Sequence, residues 1–155
     1  MRHFYVLVDN STKPRLLGKS CACWAVFKDN YNSKPLRIGL IFLNYKFGTQ
    51  QAFYLGVIKA LEDCFILGGS DVAFHILGDC QTVIKLLRGE WQPHKLAPFH
   101  AQVQGLLNKY RDNKRGMVAF DYINEETPSY KFVDIISQRS HNTIEAELFR
   151  CTSTT

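Results

Sequence analysis

No apolar run in this sequence of 155 residues approaches the roughly 18 to 20 residues needed to span a bilayer. The start, "MRHFYVLVDN", is charged, but its apolar run is too short for a secretory leader and no small-residue cleavage site follows. These absences predict a cytoplasmic or nuclear protein that is not secreted. The five cysteines, at 21, 23, 64, 80 and 151, form no CxxC pair, which speaks against a zinc site. Cys21 and Cys23 stand two apart in a strand-like run and point the same way, a poor geometry for a disulfide, so reduced thiols are expected. Internal repeats and low-complexity stretches are missing too. Acids are the minority charge: 14 Asp and Glu against 19 Lys and Arg give a formal net charge of +5, a modest lean toward polyanionic partners.

What is present is a folding composition, 46% hydrophobic and 21% charged, long enough for one domain with a real core. The expected domain is 1–149, with 150–155 as a disordered tail. "HFYVLVD", "KSCACWAVFKD" and "LRIGLIFLNYKF" read as three strands joined by turns, an antiparallel meander. From Thr49 the period becomes helical, through Ala52, Leu55 and Ile58 and through Val57, Leu61, Cys64 and Phe65, until Gly68-Gly69 ends it. "VAFHILGD" is a fourth strand, expected to lie parallel to a meander strand through a right-handed crossover. "CQTVIKLLRG" is a short helix, "EWQPHKLAP" an interruption with two prolines, and "FHAQVQGLLNKYRDN" a second helical stretch. "GMVAFDYI" is a fifth strand, and after "NEETPS" the segment "YKFVDIISQ" again has helical spacing. The order βββαβααβα predicts an α/β fold, a five-stranded mixed sheet flanked by helices.

Two of these strands end in aspartate: Asp9 in "FYVLVDNST" and Asp79 in "FHILGD". Taken singly, Asp9 reads as a turn residue and Asp79 as a helix N-cap. If strands one and four are parallel neighbours, both carboxylates emerge at the same sheet end, where ligands of such sheets collect. Asp134 in "FVDIIS" is a third candidate, in the first turn of a helix that can return to that end. Three carboxylates around one point require a cation, and Mg²⁺ suits oxygen ligands. Paired ions of this kind cleave phosphodiesters.

With these motifs in this order, the chain resembles the ribonuclease H family over roughly residues 3 to 138. "VDNST" stands where the family has Asp-Gly-Ser. "GDCQTVIKLLRGEW" stands where plant and archaeal-type members have Gly-Asp-Ser-x-x-Val-Ile followed by Gly-x-Trp, and "FVDIIS" stands where they have Ala-Asp-x-Leu-Ala. The resemblance implies a ribonuclease H-like fold and a remnant catalytic and metal-binding set of Asp9, Asp79 and Asp134. It also implies Mg²⁺ or Mn²⁺ as cofactor and contacts to nucleic acid from Asn10, Ser11, Thr49, Gln50 and Gln51.

The family's fourth acid is missing. Its Glu follows a Thr-Asn-Asn-x-Ala pattern, and "GTQQAFYLGVI" places Phe53 there. A benzyl group neither ligates a metal nor accepts a hydrogen bond. Glu62 lies nine residues further on, roughly 13 Å along a helix axis. The loop "NEETPSY" carries Glu125 and Glu126 but no His, a second departure from the family; His141 lies well downstream. The first reading is therefore a nucleic-acid-binding ribonuclease H-like protein with a degenerate site, little or no cleavage and weak metal binding. An alternative is an active Mg²⁺-dependent endonuclease cleaving the RNA strand of RNA–DNA hybrids, and a second is a protein-interaction module reusing the fold. For that module, Phe53, Tyr54 and Trp91 are candidates for an apolar surface. The cluster Lys109, Arg111, Lys114 and Arg115 in "NKYRDNKR" is the expected phosphate-contacting surface, with a solvated helix end as its plain alternative.

Overall fold

A computed structural model of the chain describes residues 1–13, 19–29, 34–43, 48–124 and 126. The sequence expectations for residues 127 to 155, including the helix carrying Asp134, the domain end at 149 and the tail, lie outside the described residues. So do Glu125 and His141.

The alternation of apolar residues produces strands β1 (Arg2–Lys13), β2 (Lys19–Lys28) and β3 (Arg37–Leu43). Helix α1 (Thr49–Cys64) follows, closed by a 3-10 turn over Phe65–Leu67. Then come β4 (Val72–Gly78), α2 (Gln81–Leu87), α3 (Ala97–Asp112) and β5 (Met117–Tyr122). The five strands form one sheet in the order β3-β2-β1-β4-β5. β1, β2 and β3 pair antiparallel, whereas β4 runs parallel to both β1 and β5. This is the mixed sheet expected from the element order.

β1 is longer than its apolar run suggests. It continues through Asp9, Asn10, Ser11 and Thr12 to Lys13, because β2 goes on pairing with it as far as Lys13↔Lys19. Asp9 is therefore a strand residue opposite Cys23, not the turn residue its sequence context allows. The prolines need a second correction. Pro98 sits in the first turn of α3 instead of interrupting the helix, since its missing N–H costs nothing there.

One face of the sheet is covered by the helices. Val6, Val8, Val26, Phe74 and Ile76 pack against Phe53, Val57 and Leu61 of α1 and against Val103 and Tyr110 of α3. Tyr54 Oη lies 3.1 Å from His100 Nδ1, and the Tyr110 hydroxyl donates to the Leu61 carbonyl. These contacts advance together along both helices, so α1 and α3 run in the same direction. Burial raises the hydroxyl pKa of Tyr54 to about 12. At the far end of α1, Asp63 accepts from Trp24 Nε1 at 2.9 Å and from Arg37 Nη2 at 2.6 Å. That clip ties the helix to β2 and β3, and the Arg37 hydrogen bond holds the Asp63 carboxyl below its ordinary value. On the opposite face, Leu7, Cys23, Ala25, Phe27 and Leu77 make a second cluster with Ile123. Cys64 and Cys80 are free thiols, and Cys21 and Cys23 are buried in β2. No helix among the described residues is long and apolar enough to cross a membrane.

Candidate functional site

The parallel register between β1 and β4 ends at Leu7↔Leu77. Carried two residues further, it sets Asp9 beside Asp79 at the carboxyl end of both strands. Here β1 leaves β4 while still pairing with β2, and β4 ends at Gly78. The connectivity changes direction between these strands, the place where such sheets open a ligand crevice. Asp9 is only 4% exposed, whereas Asp79 is partly exposed. Asp79 does not cap α2. The N-cap is Cys80, one residue later, because the chain turns out of β4 before the helix begins.

The start of α1 is held against this end. Asn10 Nδ2 donates to the Thr49 carbonyl at 3.3 Å, and the Gly48 N–H donates to Gln51 Oε1 at 3.1 Å. Asn10, Thr49, Gln50 and Gln51 thus share the neighbourhood of the aspartates, with Thr49 and Gln50 exposed. Ser11 lies in β1 opposite Cys21.

Phe53, in the second turn of α1, is fully buried. Its ring lies over the backbone of Gly78, so closely that a Cβ at that position would run into the ring tip. The residue before Asp79 therefore must be glycine to admit the ring. Strand alternation puts Asp9 on the other face of the sheet, with Leu7 and its partner Cys23, while Phe53 belongs to the helix-covered face. The ring fills the space above Gly78 instead of lying over the Asp9 carboxylate.

Asp9 and Asp79 supply carboxylates, while the α1 side of the crevice is hydrocarbon. Among the described residues no three of His, Cys, Asp or Glu converge on one point, and Asp134 lies outside them. Asp9 and Asp79 are the two groups that would hold a single hard cation.

The basic cluster is elsewhere. Lys109, Arg111, Lys114 and Arg115 surround the end of α3 and the start of β5, where Met117 pairs with Ala73. That is the amino end of β4, about 20 Å of strand away from Asp79. A phosphate-contacting surface made by these cations would therefore lie at the other end of the sheet from the aspartates. Their geometry is that of a helix end: Lys114 N–H donates to the Arg111 carbonyl, and Arg115 N–H to that of Tyr110. Of the three aromatics considered for an apolar surface, Phe53 and Tyr54 are core, whereas Trp91 is 49% exposed with Lys85 Nζ 4.7 Å from the ring centroid. Sequence reading did not single out Gly78. Its signal was a glycine closing a strand immediately before an acid, where a neighbouring element presses close.

No family model matches the chain, and no curated protein is a significant match. Solved structures do match. The N-terminal ribonuclease H domain of a Mycobacterium tuberculosis protein, solved as a fusion with maltose-binding protein, is 17% identical with a TM-score of 0.71, covering 93% of this chain and 99% of that one. Ribonuclease H1 from the halophilic archaeon Halobacterium salinarum is 19% identical with a TM-score of 0.66, covering 81% and 88%. LC11 ribonuclease H1 in complex with an RNA/DNA hybrid is 14% identical with a TM-score of 0.68, covering 79% and 86%. At these identities the likeness is one of architecture. The chain has the ribonuclease H-like fold.

Proposed function

We propose that this chain is a single-domain, ribonuclease H-like nucleic-acid-binding protein whose hydrolytic site is degenerate, engaging RNA/DNA hybrid or another polynucleotide with little or no cleavage. The observation that carries this reading is Phe53, fully buried on Gly78, at the position to which the sequence resemblance assigns the family's Glu. The fold supports the ligand class, since one structural neighbour was solved with RNA/DNA hybrid and another with double-stranded DNA.

In this reading Asp9 and Asp79, with Asp134, hold Mg²⁺ or Mn²⁺ weakly. Such an ion would supply charge neutralisation for a phosphate at the sheet end. Asn10 fixes the start of α1, and Thr49, Gln50 and Gln51 offer amide and hydroxyl groups to a sugar-phosphate backbone. Phe53 contributes no ligand and no proton acceptor, so no group on the α1 side activates a water.

The test is incubation of labelled RNA–DNA hybrid with the protein in Mg²⁺ or Mn²⁺, beside an Asp79→Asn control against contaminating nuclease. The expected result is a retarded but intact hybrid. Cleavage that Asp79→Asn abolishes would establish an active endonuclease instead. Absence of any retardation at low salt would leave neither nucleic-acid reading standing.

A further inference from the structure

The outer edge of the sheet and the basic cluster meet at a place remote from the two aspartates. β5 is an edge strand, and its outer side faces no other strand among the described residues. Ile123 N–H donates inward to the Gly78 carbonyl at 2.9 Å. Main-chain groups alternate sides along a strand, so those of Val118, Phe120 and Tyr122 point outward. Asp121 Oδ1 accepts the Tyr122 N–H at 2.9 Å, which leaves Val118 and Phe120 presenting their N–H groups at the rim.

A trough runs beside this edge, between β5 and α3. Its two stretches, of about 630 and 680 Å³, share Gln104, Leu107 and Val118. The first stretch is mainly apolar, with Met117 at its mouth 67% exposed, while the second also carries Arg88 and Asp121, paired with each other at 3.3 Å. Arg111 and Lys114 stand along the first stretch. Lys109 and Arg115 lie 4.5 and 4.8 Å from the ring centroid of Phe65 and are engaged there, whereas Arg111 makes only an exposed pair with the neighbouring Asp112 at 3.3 Å, worth little in water and open to exchange for a peptide carboxylate. Lys114 is carried to the lip by a left-handed turn, with φ 51°, and Gly116 follows at φ 114°. A Cβ at Gly116 would meet the Val72 carbonyl at 2.5 Å, so this turn is fixed.

We propose that the β5 edge takes an extended acidic peptide of another protein as an added strand. Its alternate apolar side chains enter the trough, and its carboxylates lie against Arg111 and Lys114. Strand addition draws affinity from main-chain hydrogen bonds and specificity from pockets for alternate side chains, and the rim and trough supply both. Polynucleotide affinity instead grows with the number of phosphates neutralised. Two cations over an apolar floor suit carboxylates on a peptide better than a phosphate backbone. This goes beyond the proposed function, since it uses the β5 edge and the Arg111 and Lys114 cations instead of the aspartates, and stands or falls separately.

The test uses the full chain and a fluorescently labelled, end-blocked ten-residue peptide alternating Val and Glu, with a Val and Lys counterpart. Anisotropy should show saturable binding of the acidic peptide alone, and amide exchange should slow at Val118 and Phe120. Arg111→Glu with Lys114→Glu should weaken binding by about tenfold or more, with the melting temperature unchanged because both residues are exposed. Val118→Pro, tolerable on an edge strand, should abolish it by removing an outward N–H. The proposal is overturned if the acidic peptide does not bind, if protection appears elsewhere, or if the charge reversal leaves affinity unchanged. It is equally overturned if single-stranded RNA displaces the peptide with a dependence on the same two cations, or if sedimentation shows β5 occupied by a second copy of the chain.

Discussion

At the scale of single residues, the proposed loss of hydrolysis rests on Phe53, a ring fully buried in α1. Burying such a ring contributes about 1.5 to 3 kcal/mol, and it does so against Gly78. Glu is a good helix former near an N-terminus, and on helix propensity alone Phe53→Glu should be tolerated. The structure overrides that expectation, because the position is fully buried. The substitution exchanges a packed ring for a carboxylate without a pocket, at a cost on the order of 3 kcal/mol or more. The expected outcome is a lower urea midpoint for Phe53→Glu, together with a larger gain in melting temperature from Mg²⁺ than the natural protein shows. An equal response of both proteins to Mg²⁺ would mean that position 53 does not face the cation site. The register of Ala52 and Tyr54 is what assigns Phe53 to the motif position in the sequence. Its packing on Gly78 joins residues 25 positions apart, and no local pattern encodes such a pairing.

At the scale of elements, β1 and β4 show what periodicity can and cannot read. Their apolar runs identified both strands, and the helix between them implied that β4 lies parallel to a meander strand; which strand, β1, is seen only in the pairing itself. The polar extension of β1 from Asn10 to Lys13 was illegible, because partnership with β2, not hydrophobicity, keeps those residues extended. The same pair of strands carries a titratable link. His3 Nδ1 and His75 Nε2 share a hydrogen bond of 2.9 Å, with the Tyr5 ring stacked on His75 at 4.7 Å between centroids. Burial first, and then the charge of His3, hold the His75 pKa below its ordinary value, with Asp121 acting in the opposite sense. A folded-state value below the roughly 6.5 of a free imidazole means that the unfolded chain binds more protons in the interval between the two. The contribution to stability is therefore complete above the unfolded value and is lost as pH falls through the folded one. Melting temperature measured from pH 5 to pH 8 should rise with pH, with a shallower rise in His75→Gln. Parallel profiles for the two proteins would remove His75 as the source. The imidazole is only partly buried, so the effect should be small.

At the scale of the whole molecule, the sheet has two chemically different ends. The fold class and strand count were legible because helical and strand periods alternate in an order that few topologies satisfy. Which charges share an end was not, since Lys114 and Asp79 are near or far only through the direction of α3 and β5. α3 runs with α1 toward the amino end of β4, and it carries Lys109, Arg111, Lys114 and Arg115 away from Asp9 and Asp79. A surface for polynucleotide around the aspartates must then draw on groups at the carboxyl end, with Asn10, Thr49, Gln50 and Gln51 among them. Charge reversal at Arg111 and Lys114 should consequently leave hybrid affinity nearly unchanged at fixed salt, beyond a small effect of lower net charge screened over about 10 Å at 0.1 M salt. Gln50→Glu, at an exposed position beside the site, should weaken hybrid binding through repulsion of phosphate. The slope of log affinity against log salt concentration separates the cases, since every phosphate that a cation no longer neutralises reduces it by about one unit. A slope that falls by about two with the Arg111 and Lys114 reversal, and is unmoved by Gln50→Glu, would place the polynucleotide at the amino end of the sheet and detach it from the aspartates altogether.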